Sequence, residues 1–139
     1  MASPNADVIH LDKASAFAVD VNPYPNRNGY GDAVLNNLAI RTSLKNIILG
    51  YVGCKSRLFN SKFGSQTYSF LQEPMDSLTA FKIKSSLQQA ITRWEPRVQV
   101  GVSDITVKAD LTIPGYVIRI FYTIMANSKT DDATFTLKI

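Results

Sequence analysis

Residues 76–100 read DSLTAFKIKSSLQQAITRWEPRVQV, and the spacing of apolar residues in this stretch changes at Pro96. Before the proline, apolar side chains recur every three or four residues. This predicts an amphipathic helix that begins at Asp76 or Ser77, either of which is a good N-cap. Pro96 should end the helix, because proline lacks an amide donor and its ring clashes with the preceding turn. The predicted helical stripe consists of Ala80, Ile83, Leu87, Ala90, Ile91 and Trp94.

The residues after Pro96 alternate between apolar and polar types, which is typical of strands. The parity of the alternation changes at Ser103-Asp104, so we expect a bulge there. Pro114-Gly115 predicts a turn and residues 116–126 a strand. Both faces of that strand are apolar, which indicates either a central strand covered on both sides or one face reserved for a partner. A polar turn over 127–132 should lead to a last strand, with Phe135, Leu137 and Ile139 on one face.

A second helix is predicted upstream, over about residues 33–52, with Asp32 as its cap. Its apolar stripe is formed by Ile40, Leu44, Ile47, Ile48 and Tyr51. Residues 54–76 have no periodic pattern but are apolar enough to pack as a loop. Residues 16–21 could form a short strand, and 22–29 are dense in turn-forming residues. We therefore expect an α+β fold: two helices packed on a small antiparallel β-meander in one domain (32–139), preceded by an extended N-terminal arm (1–31).

Composition narrows the classes of function. The 139-residue chain has one cysteine, Cys54, and one histidine, His10, too few for an internal disulfide or a Cys/His metal site. No apolar run is long enough for a membrane span, and no secretory signal is visible. Residues 33–72 contain five cations and no acid, a basic segment that could meet an acidic partner or form a solvated face. Its cations are Arg41, Lys45, Lys55, Arg57 and Lys62.

Catalytic residue patterns are sparse. Glu73 and Asp76 could supply the two carboxyls that a glycosidase needs, but a helix cap at Asp76 and a surface loop charge at Glu73 explain them better. One histidine near the N-terminus does not support a Ser-His-Asp triad, and phosphate-binding glycine motifs are absent. Nucleic-acid binding has some support, because Tyr51, Phe59 and Phe63 accompany the basic segment, although such aromatic residues more often pack in a core.

Several segments, taken in order, resemble one family. Residues 56–64 (SRLFNSKFG) are similar to the Gly-x-Arg-x-Phe-x-Pro-x-Phe-Gly loop of contractile-tail baseplate wedge proteins. These are phage subunits once labelled lysozyme-like, with TssE as their type VI secretion counterpart. Residues 43–49 (SLKNIIL), Glu73-Pro74 and the run RWEPR at 93–97 extend the likeness over about residues 33–126. Lys55 or Ser56 stands where the family usually has Gly, and Ser61 replaces the loop Pro.

The resemblance implies a non-enzymatic structural subunit, without cofactor or metal, that docks on the core-bundle helices of other wedge proteins and initiates the tail sheath. Further partners would be tube and hub proteins, with neither a membrane nor nucleic acid involved. The subunit would lie in the virion tail baseplate and be made in the host cytoplasm. Alternatives are a TssE-like subunit of a secretion or injection machine, a small basic nucleic-acid-binding protein and a peptidoglycan-cleaving lysozyme. The implied interaction residues are Glu95, Pro96, Arg97, Arg57, Phe59, Phe63, Gly64, Phe135, Leu137 and Ile139.

Two readings of Glu95 stay open at this point. A carboxylate at a helix C-terminus is disfavoured by the macrodipole, so it should have a cationic partner. That partner could be an arginine of a neighbouring subunit, bound bidentately, or a local residue, Arg93 or Arg97. Trp94 should pack in the core beneath the corner. The C-terminal strand is a candidate free edge, to which a partner strand could add by main-chain hydrogen bonding.

Overall fold

The computed structural model of the chain describes residues 19–25, 31–53, 60–112 and 114–138. Contacts divide the chain into two units, Met1–Ser43 and Leu44–Ile139. In the first unit, strands β1 (Val19–Pro25) and β2 (Gly31–Leu35) pair antiparallel, with an irregular register between Val21 and Pro25. Residues 19–21 of the predicted short strand and 22–25 of the predicted turn region belong to β1, and residues 16–18 lie outside the described ranges. The division into an arm and a domain at residue 31 stays a prediction.

Helix α1 (Asn36–Leu49) is shorter than predicted. Asp32 is not its cap, because Asp32 lies in β2, and the chain turns into the helix at Asn36, whose φ is 55°. Asparagine tolerates this left-handed conformation better than most residues. Tyr51 is exposed and lies past the end of the helix. The rest of the predicted stripe is confirmed, with Ala39 added: the buried residues of α1 are Ala39, Ile40, Leu44, Ile47 and Ile48.

The second predicted helix is confirmed at both ends. A short helix, α2 (Thr67–Phe70), interrupts the region predicted as a loop and is followed by α3 (Ser77–Trp94). Asp76 is the N-cap: its Oδ1 accepts a hydrogen bond of 2.7 Å from the Thr79 amide, and this bond lowers the pKa of the Asp76 carboxyl. Ala80 and Trp94 are half-buried, and the fully buried stripe of α3 is Ile83, Leu87, Ala90 and Ile91.

The strands of the second unit form one antiparallel sheet with β5 (Gly115–Ile124) at its centre. Along one edge, β5 pairs with β4 (Ile105–Asp110) and then, at Thr123 and Ile124, with the short β3 (Val98–Gln99). Along the other edge, it pairs over its full length with β6 (Lys129–Lys138). The predicted α+β class is therefore confirmed.

Two local predictions within the sheet are corrected. The expected bulge at Ser103-Asp104 is a 3-10 turn (Val102–Asp104), in which the Asp104 carboxylate accepts a 2.8 Å hydrogen bond from the Gly101 amide. This local bond holds the turn and lets the alternation restart at β4 with the opposite parity. The polar turn before the last strand is also shorter than predicted, since β6 begins at Lys129.

One face of β5 carries the core. Its buried side chains are Tyr116, Ile118, Ile120, Tyr122 and Ile124, all at most 1% exposed. On the opposite face, Val117 and Thr123 are half-buried, whereas Arg119 and Phe121 are exposed. Helix α3 contacts β4 and also α2, so helices cover one face of the sheet. Within residues 60–112 and 114–138, no helix lies on the outer face of the sheet, and which of the two alternatives for that face holds stays a prediction.

The two tyrosines of the inward face differ in their hydrogen bonding. The Tyr122 hydroxyl donates to Asp131 Oδ2 at 3.0 Å across the β5–β6 pair. The Tyr116 hydroxyl is buried without a hydrogen-bond partner among the described residues. Burial raises the pKa of Tyr116, and the negative charges of Asp76 and Glu73 act in the same direction. Tyr116 thus contributes packing at the cost of an unsatisfied polar group.

Removing each hydroxyl should have opposite effects on stability. A buried polar group without a partner costs about 1–3 kcal/mol, so we expect Tyr116→Phe to raise the free energy of unfolding by about 1 kcal/mol. Tyr122→Phe, the matched control on the same face, should lower it by about 1 kcal/mol because a hydrogen bond to a carboxylate is lost. Urea denaturation at neutral pH measures both. Equal destabilisation by the two variants would show that the Tyr116 hydroxyl is satisfied.

Candidate functional site

The centre of the candidate site is the corner between α3 and β3, formed by Glu95, Pro96 and Arg97. The last helical hydrogen bond runs from the Glu95 amide to the Ile91 carbonyl at 2.8 Å. Pro96 follows and is exposed, and the Val98 amide then donates to the Glu95 carbonyl at 3.3 Å. The predicted helix stop at Pro96 is confirmed. The backbone changes from helix to strand within the three residues Glu95, Pro96 and Arg97.

The Glu95 carboxylate is bound inside the chain. Arg97 Nε lies 2.5 Å from Glu95 Oε1, and Arg97 Nη2 lies 2.7 Å from Glu95 Oε2, which is the fork-to-fork geometry of a bidentate pair. The Glu95 side chain is 2% exposed, whereas that of Arg97 is 34% exposed. Of the two readings left open by the sequence, the structure shows the local one. Arg97 offsets the unfavourable position of a carboxylate at a helix C-terminus.

A backbone hydrogen bond ties this corner to the far end of the central strand. The Met125 amide donates to the Arg97 carbonyl at 2.9 Å, and Val98 pairs with Ile124 immediately beside it. The corner is therefore held by the helix on one side and by the sheet on the other. Pro96 and the outer part of the Arg97 guanidinium are what it presents at the surface.

Trp94 joins the corner to the second predicted part of the site, the loop that precedes α2. The Phe63 ring meets the Trp94 ring edge-on, with centroids 5.3 Å apart. Phe63 is buried, and Trp94 is half-buried with the Arg93 guanidinium 5.0 Å from its ring centroid. The aromatic pair contributes packing beyond simple burial. Trp94 thus packs beneath the corner, as predicted, although one part of it stays accessible.

Position 64 of this loop requires glycine. Its φ is 108°, a region that side chains with a Cβ avoid, and an added Cβ would meet the Gly50 carbonyl oxygen in a severe backbone overlap. The close approach allows the Ser65 amide to donate to the Gly50 carbonyl at 2.9 Å. The Ser65 hydroxyl donates to the Ile48 carbonyl at 3.3 Å, and its oxygen can accept from the Thr67 hydroxyl at 2.9 Å. Gly64 therefore holds the loop against the end of α1.

Gly50 and Ser65, which fix this loop to the end of α1, were not among the predicted site residues. A glycine directly after a helical stripe is a known end signal, and reading it at Gly50 rather than Gly53 would have placed the end of α1 correctly. The hydrogen bonds of Ser65 to Ile48 and Gly50 have no local sequence signal, because they join residues 17 and 15 positions apart. Arg57 and Phe59, also predicted for this loop, lie outside the described residues.

The C-terminal part of the predicted site is strand β6. Leu137 is buried opposite Tyr116, and Phe135 is half-buried opposite Ile118, so both side chains lie on the inward face of the sheet. Ile139 lies outside the described residues. Within the described ranges, the edge of β6 that faces away from β5 pairs with no other strand. Phe135 and Leu137 thus belong to the inward face, and the unpaired feature of β6 is the main chain along its outer edge.

The two carboxyls that the sequence offered for catalysis are both engaged in local contacts. Glu73 Oε2 accepts from Lys82 Nζ at 2.7 Å, and Asp76 caps α3, so the two carboxyls considered for a glycosidase each have a structural partner. In the described part of the chain, no group of three His, Cys, Asp or Glu residues could hold a metal ion. Nor is any described helix long and apolar enough to cross a membrane.

Comparison with known proteins decides the family. A profile of the family described as baseplate wedge protein gp25 matches residues 36–129, about two thirds of the chain. Baseplate wedge protein gp25 of Enterobacteria phage T4 is 31% identical over 97 residues, which cover 68% of this chain and 70% of that protein. The chain belongs to the gp25 family of baseplate wedge proteins. It is a structural component of the baseplate of a contractile tail, in a phage or a tail-like particle.

Two solved structures share the fold of this gp25-family chain. A Geobacter sulfurreducens protein named a tail lysozyme superposes with a TM-score of 0.64 at 18% identity, covering 72% of this chain and 87% of that chain. A chain of the six-fold symmetrised baseplate of the anti-feeding prophage superposes with a TM-score of 0.61 at 15% identity, covering 92% and 90%. At these identities, both likenesses concern the fold alone, and the lysozyme name carries no activity to this chain.

The glycine contact within the gp25-family loop can be tested by adding a methyl group. Gly64→Ala should lower the free energy of unfolding by well over the ~1–2 kcal/mol that a left-handed conformation costs, because the backbone overlap with Gly50 is added to it. Gly53→Ala is the matched control: Gly53 also has a positive φ, of 95°, but its Cβ would meet nothing within 4 Å. Chemical denaturation compares the two, and equal losses would contradict the role of the Gly50 contact.

Proposed function

We propose that this protein docks on the core-bundle helices of neighbouring wedge proteins through the Glu95–Arg97 corner. The observation that carries this proposal is the buried, bidentate Glu95–Arg97 pair. Desolvating a carboxylate is expensive, and a solvated surface pair would hold Arg97 far less firmly. Glu95 therefore serves as the positioning residue, and Pro96 and Arg97 make the contact. A guanidinium whose orientation is already fixed loses less entropy when a partner binds it.

The second part of the proposal concerns the sheath. We infer that the free edge of β6 accepts a strand from the tail sheath protein and so initiates sheath assembly. An unpaired edge presents a row of amide and carbonyl groups, and main-chain pairing with an added strand satisfies them. β6 pairs with β5 over ten residue pairs without a register shift, so the edge that it presents is long and regular. Tube and hub proteins would be further neighbours, and the subunit would act in the virion tail after synthesis in the host cytoplasm.

An alternative within the same class is a TssE-like subunit of a secretion or injection machine. This alternative is supported by the anti-feeding prophage baseplate. One chain of that baseplate shares this fold over nearly the whole length of both proteins. In either particle the protein acts by assembly rather than by catalysis. The roles of Glu73 and Asp76 as local structural charges support this view.

The docking corner is best tested by Arg97→Lys. Lysine keeps the charge but cannot form the bidentate fork, so we expect incorporation into wedge complexes to fall at least about tenfold, the equivalent of one charge-assisted hydrogen bond. Arg119→Lys is the matched control, since Arg119 also pairs with a carboxylate, Asp132, but on the exposed face of the sheet. Co-sedimentation with the other wedge proteins measures incorporation, and circular dichroism checks folding. Normal incorporation of folded Arg97→Lys protein would refute the docking role.

The sheath proposal can be tested without truncating a strand that contributes to the core. A photo-crosslinking amino acid placed at Lys138, exposed on β6, should capture the sheath protein in assembled tails. The same group at Lys108, exposed on β4 across the sheet, is the control and should not. Mass spectrometry of the crosslinked products identifies the captured chain. Equal capture at both positions, or capture of sheath at neither, would contradict strand addition at β6.

A further inference from the structure

A groove with two cations lies between the loop before α2 and the exposed side of α3. We call it the Lys62–Arg93 groove, and its lining includes Lys62, Ser65, Gln66, Ser86, Arg93 and Trp94. The two sides of the groove are joined by a hydrogen bond. The Gln66 backbone amide donates to the Ser86 hydroxyl at 3.1 Å and so fixes the loop to the helix. Trp94, which also lines the groove, packs edge-on against Phe63.

Among the described residues of the two long helices and of the loop between them, both acids are already engaged. Helix α3 has three cations and no acidic residue, and α1 has two cations and none. Across the described residues 36–53 and 60–94, the acids are Glu73, which pairs with Lys82, and Asp76, which caps α3. Neither Lys62 nor Arg93 has an ion pair with any other described residue, and both are exposed. The positive charge of the groove is therefore left for a partner.

Arg93 is held in a defined position. Its guanidinium stacks on the Trp94 ring with 5.0 Å between its central carbon and the ring centroid. Cation–π stacking restrains the plane of the guanidinium while leaving its donors available at the rim. Trp94 is in turn fixed by Phe63. A carboxylate that approaches the groove meets a donor fork already oriented, which is the arrangement that favours bidentate binding.

We propose that the Lys62–Arg93 groove binds an acidic segment of a neighbouring baseplate protein, with one carboxylate on Arg93 and a second on Lys62. This inference relies on the proposed function in one respect, namely that the neighbour is another baseplate protein. It adds to the Glu95–Arg97 corner a second contact surface, one that binds carboxylates. Gln66 and Gln89, which line the same groove and are exposed, supply amide donors for the backbone or carboxylates of that segment.

The lining favours a protein over a nucleic acid. Single-stranded nucleic acids are bound by rows of cations with aromatic rings open for base stacking. The Trp94 ring is occupied by Arg93 and met edge-on by Phe63, so it offers no open platform. The groove has two cations set among amides and hydroxyls, whereas a phosphate backbone is bound by a continuous row of cations.

The test is a titration of the isotope-labelled full chain, followed by amide chemical shifts, with a synthetic helical peptide rich in glutamate. We expect the shifts to concentrate at Lys62, Ser65 and Arg93. Lys62→Glu combined with Arg93→Glu should weaken binding by at least about tenfold, since two charge-assisted contacts are lost. The matched control, Lys108→Glu combined with Lys129→Glu on the sheet, should change it less than about twofold.

Three results would overturn the proposal. One is equal binding of the same peptide with glutamine in place of every glutamate. Another is a shift pattern spread over all exposed lysines. The third is tighter binding of a single-stranded oligonucleotide in the same groove, which would indicate a nucleic-acid surface. The titration uses the isolated chain and needs no assembled particle. A negative titration would therefore refute the groove proposal but not the docking corner, and normal assembly of Arg97→Lys protein would refute the docking corner but not the groove.

Discussion

The structure around the corner between α3 and β3 depends on one buried ion pair. Glu95 sits where α3 ends and where the helix dipole opposes a negative charge, and it is removed from solvent as well. Only a cation in direct contact makes that position tolerable, and Arg97 supplies it two residues later with two hydrogen bonds. Pro96, between them, prevents the helix from continuing and keeps the two charged residues on one tight turn. The path from helix to sheet follows from these three residues.

This corner organises its neighbours in both directions. Towards the sheet, the Arg97 carbonyl accepts from Met125 and sets β3 against the end of β5. Towards the helices, Trp94 packs on Phe63 and so connects the corner with the Gly64 loop and the end of α1. A subunit that must hold its place among many neighbours benefits from such rigidity, because ordered contact residues lose less entropy on assembly. The same arrangement leaves Arg93 and part of the Arg97 guanidinium at the surface.

The sequence predicted what depends on local pattern. The bounds of α3, its Asp76 cap, the stop at Pro96 and the central position of β5 all follow from residue spacing and capping chemistry. It failed where contacts distant in sequence decide the structure. Asp32 resembles a cap but lies in β2, because pairing with β1 overrides its capping preference. The need for glycine at position 64 comes from the Gly50 backbone, and the lack of a partner for the Tyr116 hydroxyl comes from packing; spacing reveals neither.

The central claim is that Glu95 acts inside the chain and positions Arg97 for contact with other wedge proteins. The most direct measurement is a cryo-electron microscopy reconstruction of the assembled baseplate that contains this chain, at a resolution that shows side chains. We predict that the Glu95–Arg97 pair is intact within the subunit and that Pro96 and Arg97 lie against helices of a neighbouring wedge protein. A Glu95 carboxylate bound to an arginine of the neighbour, with Arg97 turned away from it, would contradict the account.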